Sequence, residues 1–178
     1  MRPNKPILIF IFIMLYCFKP YNSELHAKAV ELSSPNKKIH VEIKLGDRIY
    51  YSVFFNTEII IKPSPISLTV NEGLILGENP VLIKSGNKSI DEEIYPVVPH
   101  KRKLIKDRYN ESLLNFEDDY GLIFRVYDDG VAYRFFTEFK KDIKIISEEA
   151  CLNLARDDSI YFPFEESFLT HSERLYSY

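Results

Sequence analysis

Strict alternation of apolar and polar side chains constrains this chain most. Ile39, Val41, Ile43 and Leu45 are apolar, and His40, Glu42 and Lys44 between them are polar. A period of two sends one set to each face of an extended segment, which reads as a half-buried strand. Ile66, Leu68 and Val70 repeat the pattern around Ser67 and Thr69, and Leu122, Phe124 and Val126 repeat it around Arg125. Val131, Tyr133, Phe135, Thr137 and Phe139 share one face further on. No window of about 11 residues before 164 carries a helical period.

Turn residues punctuate these runs. Gly46-Asp47, Asn56-Thr57, Asn71-Glu72-Gly73 and Asp118-Asp119-Tyr120-Gly121 each close a strand. Asp128-Asp129-Gly130 reads as a hairpin turn, since Asp and Gly tolerate positive φ. Strands are expected at 39–45, 49–55, 58–62, 66–70, 112–117, 122–127, 131–139, 142–148, 150–154 and 159–164. Weaker ones fall near 80–84, 88–95 and 102–108, in a polar stretch with several Pro and Gly. Roughly ten to thirteen short strands at this spacing predict an all-β fold, an antiparallel sandwich or barrel. Twelve Tyr and 13 Phe with no Trp suit such a fold, because flat side chains pack well on a pleated surface. At 178 residues the chain suits one domain.

The first 29 residues read as a secretory signal. Arg2 and Lys5 precede an apolar run over 7–18, and Ala27-Lys28-Ala29 is a small-x-small cleavage site. The mature chain is expected to begin near Val30, in the periplasm or outside the cell. Two alternatives are a lipid-bearing Cys17, disfavoured by the bulky Tyr16 before it, and an uncleaved anchor, disfavoured because a span needs about 20 apolar residues. Export leaves Cys151 as the one cysteine, read as a structural thiol, with no internal disulfide. A net charge of −3 excludes the concentrated basic face of a nucleic-acid binder. The short run His100-Lys101-Arg102-Lys103 reads as a solvated loop. There is no HExxH, no paired CxxC and no glycine-rich phosphate loop.

Glycoside hydrolysis needs two carboxyl groups held across the scissile bond, and no segment here visibly scaffolds such a pair. Glu165, Glu166 and Glu173 form the best carboxylate cluster. If 166–176 were a short helix, Glu166, Thr170 and Glu173 would share a face. Calcium takes six to eight oxygen ligands, so such a segment supplies one or two of them at most. The bland alternative is solvated surface charge. His171 beside Glu173 suits a sugar hydroxyl or a structural hydrogen bond. Asn110 and Glu111 suit a sugar contact or a strand cap.

Three stretches together resemble glycoside hydrolase family 97: Asp107-Arg108-Tyr109-Asn110-Glu111, then Tyr127-Asp128-Asp129-Gly130-Val131-Ala132-Tyr133-Arg134-Phe135, then Phe162-Pro163-Phe164-Glu165-Glu166-Ser167-Phe168-Leu169-Thr170-His171-Ser172-Glu173-Arg174-Leu175-Tyr176. Ser34-Pro35-Asn36-Lys37-Lys38-Ile39 is similar to the opening strand of that family's N-terminal domain. The resemblance covers about 31–178. It implies a large antiparallel β-sandwich that precedes a catalytic (β/α) barrel. It also implies α-glycosidase activity on α-linked oligosaccharides or glycosides, assisted by calcium. The barrel carries the catalytic carboxylates and the sandwich lends a glutamate to the calcium, here Glu173 with Glu166 second. By the same resemblance this chain stops with the sandwich unfinished, and the missing barrel is its expected partner. A stand-alone carbohydrate-binding or surface-interaction sandwich is the other function class, and the absence of Trp weighs against it.

Overall fold

The computed structural model describes residues 28–98, 102–157, 159–164 and 172–176. Residues 1–27 of the expected leader with Cys17, the pair His100-Lys101, and the site candidates Glu166 and His171 lie outside the described residues. The described residues form twelve strands: β1 (Lys28–Ser33), β2 (Ile39–Leu45), β3 (Ile49–Phe55), β4 (Glu58–Val70), β5 (Leu74–Leu76), β6 (Leu82–Ile94), β7 (Ile105–Phe116), β8 (Tyr120–Tyr127), β9 (Val131–Thr137), β10 (Ile145–Ala150), β11 (Ile160–Phe164) and β12 (Ser172–Tyr176). Every pairing is antiparallel. The larger sheet runs β1-β2-β3-β4-β10 with β5 also on β4, the smaller runs β6-β7-β8-β9, and β11 and β12 form a separate pair.

The two main sheets stack through the alternating positions. Val41, Ile43, Ile49 and Ile66 from the larger sheet meet Leu114, Leu122, Phe124 and Val126 from the smaller, all fully buried. Tyr51 on β3 bridges the sheets, with its ring 5.9 Å from both Phe124 and Tyr133. Its hydroxyl donates to the Cys151 carbonyl at 3.2 Å, so the aromatic body packs while the polar tip is satisfied. Gly77 N–H donates to the Tyr120 hydroxyl at 3.3 Å, a second polar stitch between the sheets. Cys151 itself is a half-buried free thiol, less enclosed than its alternating neighbours suggested.

The structure departs from the sequence expectations where the pattern is weak. Segments 58–62 and 66–70 fuse into one strand, β4, through Pro63 and Pro65. The register with β3 shifts between Tyr51 and Val53, and a proline is tolerated at such an irregularity. The weak strands at 80–84 and 88–95 are one strand, β6, and that at 102–108 continues to Phe116 as β7. Most of β6 is exposed, so burial imposes no alternation there, while backbone pairing with β7 still extends to Ile94 and Ile105. The expected pair at 142–148 and 150–154 is the single strand β10, with Leu154 only bridging Ile61. The Asp128-Asp129-Gly130 turn forms without positive φ; Asp118 and Asp119 adopt it instead, at 64° and 53°. Asp128 accepts from the Asn36 backbone N–H at 2.8 Å, which accounts for an acidic residue there. Residues 172–176 are strand, so a helix over 166–176 does not extend to Glu173.

Two substitutions test this packing. Phe124 is fully buried, so Phe124→Ala is expected to cost about 3–5 kcal/mol in urea unfolding. A Cβ on Gly121 would lie 2.6 Å from the Leu114 carbonyl oxygen and would also strike the Phe136 ring. Gly121→Ala is therefore expected to lose about 1–3 kcal/mol, and an unchanged melt for either variant contradicts the packing.

Candidate functional site

Asn110 and Glu111 are neighbours on β7, so alternation sends them to opposite faces. They sit mid-strand, which replaces the strand-cap reading. Asn110 faces the space between the sheets. Its Nδ2 donates to the Ser33 carbonyl at 2.7 Å, and its Oδ1 accepts from Ser89 Oγ at 2.6 Å. Both ends of the amide are engaged in joining β7 to β1 and β6. Beside it runs an open polar groove of about 660 Å³ bordered by Glu31, Ser33, Ser34, Lys37 and Lys88.

Glu111 points to the outer face of the smaller sheet, yet it is only 5% exposed. Cross-strand neighbours cover it. Lys88 opposite it on β6 approaches to 3.0 Å, and Arg125 opposite it on β8 donates through Nε at 2.7 Å. The Arg125 guanidinium lies 4.5 Å from the Tyr109 ring centroid, and Tyr109 packs on Tyr127 at 5.0 Å. Burial raises the Glu111 carboxyl pKa; hydrogen bonds from Lys88 and Arg125, with their charges, outweigh this and hold it below the ordinary value of 4.5. The Glu111 hydrogen bond in turn raises Arg125 further. The result is a fixed carboxylate clamped by two cations, which orients the guanidinium rather than offering a free base.

Next to this clamp a pocket of about 170 Å³ opens, lined by Ile123, Arg125, Tyr127, Ala132 and Arg134. Sequence reading missed Lys88 and Arg125. Arg125 carries a visible signal, a cation between Phe124 and Val126 in a strand. Lys88 carries none, because only the β6–β7 register places it opposite Glu111. Glu173 lies on β12 opposite Pro163 of β11. Among the described residues no three His, Cys, Asp or Glu side chains group to hold a metal. Of the two calcium candidates, Glu173 has its backbone among the described residues.

Two stacked antiparallel sheets with a charged, aromatic outer face define an all-β sandwich module. The chain belongs to the Glycosyl-hydrolase 97 N-terminal family, whose model matches residues 32–178. It is 32% identical over 160 residues to a retaining alpha-galactosidase of Bacteroides thetaiotaomicron, covering 90% of this chain and 24% of that protein. A Glycoside Hydrolase Family 97 enzyme from Pseudoalteromonas sp., solved with panose and also with acarbose, shares the fold at TM-score 0.66 and 17% identity, over 76% of this chain and 22% of that one. A beta-arabinopyranosidase shares it at TM-score 0.61 and 22% identity, over 75% of this chain and 22% of that one. The chain thus spans about a quarter of the length of these relatives.

The clamp sets a pH signature. The folded pKa of Glu111 is lowered, so its stabilisation is complete above the unfolded value and is lost as pH falls through the folded one. Glu111→Gln is expected to cost about 1.5–3 kcal/mol at pH 7, with the gap to the parent closing as the pH drops below the ordinary carboxylate range. Urea unfolding at pH 7, 5 and 3.5 measures this, and a gap independent of pH contradicts it.

Proposed function

We propose that this chain is the N-terminal β-sandwich of an exported, calcium-dependent α-glycosidase of α-galactosidase or α-glucosidase type. In this reading Glu173, with Glu166, lends ligands to the calcium, and polar side chains of the sandwich contact the sugar. The observation that carries it is the family match across 32–178, which runs through Glu173, joined to 32% identity with a retaining alpha-galactosidase.

The chemistry supports a division of labour. Hydrolysis across a glycosidic bond needs two carboxyl groups at a set separation. Glu111, the buried acid among the described residues, is committed to Lys88 and Arg125 and is unsuited to proton transfer. The sandwich therefore positions and does not cleave, and the reacting carboxylates belong to the barrel partner. Calcium, when bound, supplies a fixed positive charge beside the substrate. Residues of this chain complete its oxygen shell and present polar groups toward the sugar.

A domain exchange tests this. Residues 30–178 replace the matching region of the Bacteroides thetaiotaomicron enzyme, and hydrolysis of a p-nitrophenyl α-galactoside is followed against calcium concentration. The chimera is expected to be calcium-dependent, and Glu173→Gln is expected to raise the half-activating calcium at least tenfold. An unchanged calcium requirement in both Glu173→Gln and Glu166→Gln sinks the reading. Export is tested separately: expressed with its own leader, the protein is expected outside the cytoplasm with Val30 as its first residue by N-terminal sequencing. That product keeps the pairing of Val30 to Ser33 with β2. Retention of the leader on the purified protein contradicts export with cleavage.

A further inference from the structure

We propose that the pocket between Arg125 and Arg134, on the outer face of the β8–β9 hairpin, binds a carboxylate carried on a small organic skeleton. The register sets the two arginines on one face: Arg125 pairs with Ala132, and Ile123 pairs with Arg134. Ile123 and Ala132 line the pocket between them, with Tyr127 beside Arg125. Arg125 is fixed before any ligand arrives, since its Nε is bonded to Glu111 and its plane lies near the Tyr109 ring. Arg134 is exposed, and among the described residues it has no acidic partner.

Charge also points to an anion. Lys88, Arg125 and Arg134 share this side of the sheet with the carboxylates of Glu111, Asp107 and Glu92, and of these six only Arg125 and Arg134 line the pocket. The pocket wall itself therefore carries two cations and no carboxylate. A guanidinium fork matches a carboxylate edge-on with paired hydrogen bonds. The Ile123 and Ala132 floor and the Tyr127 ring add apolar contact that a bare inorganic anion cannot use. At about 170 Å³ the pocket is smaller than sites for drug-sized ligands, which run about 300–1,000 Å³. It suits one sugar acid, or one acidic side chain from another domain, and not an oligosaccharide. Glu173 does not line the pocket, and binding is tested without calcium, so failure here is distinguishable from failure of the proposed metal role.

The test is titration of the full chain, followed by amide shifts of Ala132 and Arg134, with D-galacturonate, acetate and methyl α-D-galactoside, in EDTA throughout. Galacturonate is expected to bind in the low millimolar range and at least tenfold more tightly than the neutral galactoside. Arg134→Gln, at an exposed position, is expected to weaken it at least fivefold with the melting temperature unchanged. Galacturonate tighter than acetate assigns the pocket to acidic sugars; equal binding assigns it to the carboxylate alone, as an acidic side chain would present it. Galacturonate no tighter than the neutral galactoside, or indifferent to Arg134→Gln, overturns the proposal.

Discussion

The pairing of Ser112 with Phe124 fixes the register of β7 on β8, and both the core and the outer face follow from it. In this register Leu114, Phe116, Leu122, Phe124 and Val126 fall between the sheets, and Tyr109, Glu111 and Arg125 fall outside. A slip of one residue would exchange the faces. Glu111 would then enter the apolar layer and Leu114 would leave it, an exchange opposed both by burying charge away from its partners and by exposing apolar surface. The Glu111 clamp therefore reinforces the register that the core selects. Burying apolar side chains and satisfying one carboxylate are two expressions of the same strand alignment.

Alternation made the core legible in the sequence. Wherever one face is buried, as in β2 and β8, apolar residues mark every second position and the strand bounds follow. Strand β6 and the first residues of β7 show the limit of that signal. Where both faces meet solvent, hydrophobicity has no reason to alternate, and only backbone hydrogen bonds define the strand. The candidate site shows another limit. Glu111 and Asn110 were visible as polar residues, but their separation by the thickness of the sheet follows from the strand and not from their adjacency in the chain. Lys88 acquires its meaning only from a partner 23 positions away in the β6–β7 pairing. Glu173 stood out through resemblance, and its strand partner Pro163 could not have been read from a helical spacing.

The two functional readings use different parts of the molecule. The proposed calcium role rests on the final strand, where one carboxylate must be completed by groups from another domain. The proposed carboxylate pocket rests on the outer face of the smaller sheet, with all its lining residues on β8 and β9. Asn110 lies on the inner side of β7, where its amide ties β7 to β1 and β6. It holds the groove wall in place, and the Glu111 clamp does the same for Arg125.

One feature of the larger sheet bears on how the chain is made. On one edge β4 meets β3 and then β5, while its other edge receives β10 from far along the sequence, secured by Ser67 and Arg48 to Glu149. During synthesis the β6–β9 hairpins emerge between those partners. The distal edge of β4 thus stays a row of open donors and acceptors until residue 150 has left the ribosome. Closure of the sandwich is a late event governed by chain order, and a nascent chain halted before that point presents a sticky border to its neighbours.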